Sequence, residues 1–223
     1  MTKLYDICDA ALMCTFKAFG DFKVLGKENV PKDVPIILVS NHLSIIDPPL
    51  CASAVGKEPR FLAKKELFKF PINVLLKYYG AFSIKRGFTD IRAFQWSKKQ
   101  LKGNKSLLVF PEGTRSNDGK LKQGYNGAMI LALATGSILL PISITGTEAC
   151  KNFLQFLYPK KMKVRVTIGN PFILHNVPKD RNKSFIKSAT SEMMMRIANI
   201  LPEKYKFNKE IYKEKKFIYT KKI

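Results

Sequence analysis

Several things are scarce in this 223-residue chain, and each scarcity closes a door. Cysteine occurs four times, at Cys8, Cys14, Cys51 and Cys150, with no CxxC pair among them. That excludes a disulfide scaffold and a cysteine-built zinc site, and it predicts a reducing cytosol. Histidine occurs twice, at His42 and His175, and no cluster has metal-ligand spacing, so no metal is expected. The N-terminal apolar stretch falls short of the ~20 uninterrupted apolar residues that a span needs. Asp6 and Asp9 interrupt it and no small-residue cleavage site follows, which argues against a signal peptide and predicts a chain that is not exported. Acid is also scarce. Seventeen acidic residues face 39 basic ones, and the resulting +22 favours a polyanionic partner, either nucleic acid or the phosphates of a membrane surface.

What is present reads as one folded domain. Apolar residues make up 46% and charged residues 25%, which argues against wholesale disorder. Residues 4–19 predict an amphipathic helix with Leu4, Ile7, Cys8, Ala11, Leu12, Phe16 and Phe19 on its apolar face, placed either against the domain or in a lipid interface. After it, strands at 36–41, 60–64, 81–86, 106–113, 137–146 and 162–171 alternate with helices after Asp47, at 65–80 broken at Pro71, at 89–103, at 125–136 and at 180–200. Alternation of this kind predicts an α/β fold, a layered, largely parallel mixed sheet flanked by helices. The reading divides the chain into an N-terminal helix (1–25), a main domain (26–202) and a basic tail (203–223), with eight lysines against three glutamates in the tail. The tail predicts a flexible basic arm or helix for anionic lipid, against the plainer reading of a solvated tail.

Three polar clusters follow predicted strands: Asn41-His42, Lys85-Arg86-Gly87 and Pro111-Glu112-Gly113-Thr114-Arg115. Ligands in open α/β sheets bind outside the carboxyl ends of strands, so the clusters converge on one crevice. His42 and Asp47 lie five apart, which on a regular helix is a rotation of about 140° and no shared face. The chain must therefore turn between them, with Asp47 as an N-cap after the turn or with the helix starting earlier and Pro48 in its first turn. Either route returns the carboxylate to the imidazole, where it fixes the tautomer and leaves the other ring nitrogen to accept a proton. A hydrogen-bonded core histidine beside a capping aspartate is the plainer alternative. GTRSNDGK is not a Walker loop: its glycines are mis-spaced and Leu121 follows Lys120. His175 has no carboxylate motif beside it and reads as surface or structural; Trp96 reads as core.

Together these stretches resemble the glycerolipid acyltransferase family. NHLSIID matches its NHxxxxD motif, AKKELFKFPINVLLKYYGAFSIKRG resembles its second block, FPEGTRS is similar to its third, and ILLPISI to its proline-centred fourth. Within the family the lysophosphatidate acyltransferases are the nearest likeness, through FPEGTRS with AKKEL. The resemblance implies transfer of a fatty acyl group from acyl-CoA or acyl carrier protein, as donor substrate rather than cofactor, to the sn-2 hydroxyl of lysophosphatidic acid. It implies His42 as general base and Asp47 as the group that orients it. It assigns Glu112, Gly113, Thr114 and Arg115 to the acceptor, Arg115 and Arg86 to its phosphate, and Lys65 to added charge there. Lys85 departs from the pattern, standing where many members carry an acid before the arginine. A lipid acceptor also implies an anionic membrane surface as partner, met peripherally or monotopically at its cytoplasmic face by residues 1–25 and by 66–80. A different acceptor, glycerol-3-phosphate or a lyso-aminolipid, keeps every motif. Nucleic acid leaves the four ordered blocks unexplained, and no helix-turn-helix, RNP or zinc pattern supports it.

Overall fold

The run IILVS offers no polar face, which suits a strand covered on both sides. In a computed structural model, Ile36–Ser40 is the central strand of the fold, buried at every position. The structure describes residues 3–70, 72–84, 90–148, 150, 162–206 and 217–223. In chain order the elements are α1 (Lys3–Phe19), β1 (Asp21–Leu25), β2 (Ile36–Ser40), α2 (Asp47–Val55), β3 (Arg60–Lys64), α3 (Ile72–Tyr78), β4 (Ala81–Ile84), α4 (Ile91–Lys102), β5 (Leu107–Val109), α5 (Gly127–Thr135), β6 (Ile138–Thr145), β7 (Lys163–Ile168), β8 (Phe172–Leu174), α6 (Lys183–Asn199) and β9 (Thr220–Lys222).

These strands form a single sheet in the order β1-β7-β6-β2-β5-β3-β4, with β8 beside β6 and β9 beside β8. The five strands from β6 to β4 run parallel; β7 runs against β6, and β1 runs parallel to β7. Alternation along β2 divides the core. Ile37 and Val39 pack with Leu101 of α4, Met129 of α5 and Met193 and Ile197 of α6, whereas Ile36 and Leu38 pack with Leu12 and Phe16 of α1 and Leu50 of α2. Full burial of each such side chain is worth about 1.5–3 kcal/mol, so this strand is stable only between two helical layers. The mixed, mostly parallel sheet with flanking helices is the architecture that the strand-helix alternation implies.

Register then sets the site. β2 pairs Val39 with Val109 of β5 and Ser40 with Ile142 of β6. The residues leaving these strands, Asn41-His42 and Phe110-Pro111-Glu112, therefore emerge side by side at the carboxyl edge. Pro141 can sit within β6 because the strand changes partner there, from β8 at Leu139 to β7 from Ile142 onward.

Several boundaries differ from expectation for local reasons. The stretch 106–113 keeps only Leu107–Val109 as strand, since Pro111 lacks an N–H and Gly113 turns at a φ of 67°. The stretch 162–171 splits into β7 and β8 at Gly169-Asn170-Pro171. β1, half polar as DFKVL, and the three-residue β9 carry too weak an alternation to be read.

The C-terminal arm is a correction. Residues 217–223 return to the body, and β9 pairs antiparallel with β8. Buried Glu192 accepts from the N–H groups of Ile218 and Tyr219 and from Thr220 Oγ1, while buried Arg196 donates to the Thr220 hydroxyl and carbonyl. Buried charges need such partners, so this end of the chain is held by α6 and is not a free lysine tail. Residues 207–216 lie outside the described residues.

α1 resolves the choice between packing and exposure by doing both. Tyr5, Leu12 and Phe16 are buried against the domain, and the Tyr5 hydroxyl donates to the Lys57 carbonyl at 2.9 Å. Ile7, Ala11, Cys14 and Ala18 line the opposite, exposed side. Among the described residues no helix is long and apolar enough to cross a membrane.

Candidate active site

The turn NHLSIID is wound around one carboxylate. Pro48 and Pro49 open α2, where absent N–H groups cost nothing, and the Asp47 side chain reaches back over the loop. Asp47 Oδ2 accepts from the N–H of Leu43 at 2.6 Å and of Ser44 at 2.7 Å, and lies 2.8 Å from His42 Nδ1. Its Oδ1 accepts from the Thr147 hydroxyl at 2.7 Å. Two backbone amides are donors by nature, so Asp47 is the acceptor and His42 Nδ1 carries the proton toward it. The other ring nitrogen, Nε2, is left as the acceptor, and among the described residues it has no hydrogen-bond partner.

Neighbouring strands hold the imidazole. Its ring stacks on Phe110 with centroids 4.1 Å apart and planes 20° from parallel. The His42 N–H donates to Glu112 Oε1 at 3.0 Å, and the His42 carbonyl accepts from the Ser116 N–H at 2.7 Å. Asn41 makes a two-way tie to the backbone of Ile144, both bonds 2.8 Å, which fastens the end of β2 to β6.

Glu112 is spent inward. It is 3% exposed, and its Oε2 accepts from the Lys122 N–H at 2.9 Å. Burial pushes its carboxyl up to about 7 against the opposing pull of those two amide donors. Any contribution to an acceptor therefore passes through the loop that it ties. Gly113 turns at positive φ under the Tyr125 ring, where an added Cβ would stand 3.0 Å from a ring carbon. Thr114 and Arg115 are exposed at the rim of the same loop. Lys65, exposed, lines a groove of about 360 Å³ with Phe82, Ser83 and Arg92. Arg86, with Lys85, lies outside the described residues. The structure thus gathers His42, Asp47 and Glu112 into one hydrogen-bonded unit and sets Arg115 and Lys65 on the surface.

The Ser44 hydroxyl and the Cys51 thiol, both close to His42 in sequence, are buried. Ser44 Oγ donates to the Cys150 carbonyl at 2.6 Å, and burial pushes the Cys51 thiol far up. Among the described residues no group of three His, Cys, Asp or Glu side chains is placed to hold a metal ion. His175 is exposed, and Trp96 is half-buried, stacked on Phe82 at 4.9 Å. Sequence reasoning missed Phe110 and Thr147. Phe110 sits inside a quoted block and was legible only as a strand residue; Thr147 lies past the last block and carries no local signal.

The acyltransferase family model matches residues 21–145, more than half of the chain, and spans His42, Asp47, Phe110 and Glu112 but not Thr147, Cys150 or His175. The chain belongs to the acyltransferase family. The chain is 35% identical over 58% of its length to 1-acyl-sn-glycerol-3-phosphate acyltransferase LPAT1, chloroplastic, of Arabidopsis thaliana, and the match spans 37% of that protein. It is 29% identical over 88% of its length to a 1-acyl-sn-glycerol-3-phosphate acyltransferase of Bacillus subtilis, of which 96% is covered. Its fold is similar to the crystal structure of the 1-acyl-sn-glycerophosphate (LPA) acyltransferase PlsC from Thermotoga maritima, with a TM-score of 0.67, 28% identity and coverage of 89% of this chain and 80% of that one.

Proposed function

We propose that this acyltransferase moves a fatty acyl group from acyl-CoA or acyl carrier protein to the sn-2 hydroxyl of lysophosphatidic acid, forming phosphatidic acid. The observation that carries the reading is the imidazole fixed by Asp47 through Nδ1, with no partner on Nε2 among the described residues, in a chain whose near relatives bear that enzyme's name. Nε2 takes the proton of the acceptor hydroxyl as its oxygen attacks the thioester carbonyl. The tetrahedral adduct then collapses, the C–S bond breaks, and the departing thiolate takes the proton from the imidazolium. Asp47, charged and buried, stabilises the imidazolium between the two steps. Arg115 on the rim and Arg86 meet the acceptor phosphate, with Lys65 adding positive charge.

The same reading places the protein peripherally at the cytoplasmic face of an anionic membrane. Phe70, Val74 and Tyr78, spaced four apart and 85%, 46% and 60% exposed, carry Lys69 and Lys77 among them. Ile7 of α1 is 64% exposed, and Tyr5 joins that helix to Tyr79 at 5.4 Å between ring centroids. Apolar side chains with interleaved lysines suit a headgroup interface.

The deciding experiment incubates purified protein with labelled acyl-CoA or acyl carrier protein and a panel of lysophosphatidic acid, glycerol-3-phosphate and a lyso-aminolipid. Phosphatidic acid as the main product supports the proposal, and preferential labelling of another acceptor overturns it. Arg115→Ala then raises the KM for lysophosphatidic acid far more than that for the donor, a charge-assisted contact being worth roughly 1.5–3 kcal/mol.

A further inference from the structure

We propose that Thr147 is a positioning residue for the His42–Asp47 pair, its hydroxyl setting the plane and charge distribution of the carboxylate that orients the base. The inference rests on the acyl-transfer reading for its kinetic consequence but not for its geometry.

The two oxygens of Asp47 are served unequally. Oδ2 has His42 Nδ1, the Leu43 N–H and the Ser44 N–H; for Oδ1 the Thr147 hydroxyl is the donor, at 2.7 Å. Both residues are fully buried, so no bulk water stands ready to replace that hydroxyl. Remove it and a buried carboxylate oxygen loses its donor, and the plane of the group is then set by the contacts of Oδ2 alone. A turn of the group about Oδ2 changes the angle at which that oxygen meets Nδ1. Charge follows as well: a donor on Oδ1 draws negative charge toward that oxygen, and losing it concentrates charge on the oxygen that faces the ring.

Thr147 is built into place. β6 ends at Thr145, and Gly146 then takes a φ of 86° so close to β7 that an added Cβ would lie 2.0 Å from the Lys163 carbonyl oxygen. Only glycine permits this turn, and the turn aims residue 147 at Asp47. The same turn is anchored a second time, through the Cys150 N–H on the Thr147 carbonyl and Ser44 Oγ on the Cys150 carbonyl. With that tether in place, the Thr147 hydroxyl is not needed to hold the loop. Among the described residues the hydrogen-bond partner of that hydroxyl is the carboxylate.

The test compares Thr147→Val, which keeps the shape and deletes the hydroxyl, with Thr147→Ser, which keeps the hydroxyl. Steady-state kinetics are read for donor and acceptor separately, alongside the far-downfield proton resonance of His42 Nδ1–H, assigned by its loss in His42→Ala. Thr147→Val is expected to lower kcat about 10- to 100-fold, the range of one charge-assisted contact, with both KM values unchanged. It also moves the Nδ1–H resonance, and Thr147→Ser restores both. Among the described residues Glu112, Cys51 and Cys150 are titratable groups that feel the charge of Asp47, and none of them is altered by the pair of variants. A Val variant with unchanged kcat and resonance overturns the proposal, as does a Ser variant that falls as far as Val. If Thr147→Val fails to fold, Thr147→Ala supplies the same comparison. Should the wild type transfer acyl groups to no acceptor, the functional reading falls, while the resonance still decides the role of Thr147.

Discussion

The backbone N–H of His42 donates to the carboxylate of Glu112, 70 residues further along the chain, at 3.0 Å. One side chain from the β5 exit therefore holds the main chain of the proposed base, and its second oxygen holds the Lys122 N–H. Glu112→Gln replaces one of these acceptors with a donor, so one of the two buried amides loses its partner. Stability is expected to fall by about 1–3 kcal/mol, with kcat falling too because the His42 loop loosens. Thermal denaturation and steady-state kinetics on the variant check both.

Glu112 also predicts a pH dependence. Its carboxyl is raised in the folded state to about 7, above its ordinary range, so the folded chain binds this proton more tightly than the unfolded one. The stabilisation is complete below a pH of about 4.3, declines as pH rises and is gone above 7, a span worth roughly 3 kcal/mol. Glu112→Gln cannot titrate. The deficit of the variant relative to wild type should therefore be largest near pH 5 and shrink toward pH 8; a deficit that grows with pH would contradict the buried-carboxyl assignment.

His42→Ala should lower kcat by about 10² to 10⁴ with a normal circular dichroism spectrum, since a positioned general base is worth that much. Asp47→Asn should lose less. An amide oxygen can still serve the Leu43 and Ser44 amides, and the Thr147 hydroxyl can rotate to accept from the new NH₂, so the geometry survives while the charge is lost. A His42 variant retaining most of its activity would remove the base assignment.

No acyl-enzyme should form. Ser44 and Cys51 are fully buried, the serine engaged to the Cys150 carbonyl and the thiol held protonated, so neither is an activated nucleophile. Double-reciprocal plots should intersect, and labelled acyl-CoA without acceptor should leave no label on denatured protein. Parallel lines with a stoichiometric label that lysophosphatidic acid removes would reverse the mechanism.

Membrane binding should depend on the exposed stripe and not on the buried face of α1. Deleting that helix removes Tyr5, Leu12 and Phe16 from the core, so loss of binding on deletion would be ambiguous. Phe70→Asp and Ile7→Lys touch exposed positions only. Each should weaken flotation with phosphatidylglycerol vesicles by about tenfold or more, from about 1.5–3 kcal/mol for one buried apolar side chain. Variants that float like the wild type, with unchanged melting temperature, would place the interface elsewhere.

The sequence alone determined those features in which local pattern and tertiary environment agree. Ile36–Ser40 had to be a doubly covered strand because it offers no polar face, and two of the polar clusters, Asn41-His42 and Pro111 to Arg115, had to meet where adjacent parallel strands end. It also required the chain to turn between His42 and Asp47, since a helix separates residues five apart. Tertiary structure decided the rest, through partners distant in sequence. Glu112 sits in a recognisable motif, yet its neighbours in the chain do not say that it faces the amides of His42 and Lys122 rather than solvent. The lysine-rich end reads as a free arm until Glu192 and Arg196, buried on α6, are seen to grip Ile218–Thr220. Thr147 is one threonine among many by composition, and it becomes the donor to Asp47 because a glycine turn against β7 carries it across 100 residues of sequence to a carboxylate oxygen with a place to fill. Periodicity reports which face of an element is covered; which polar atom meets which is settled when the strands pair.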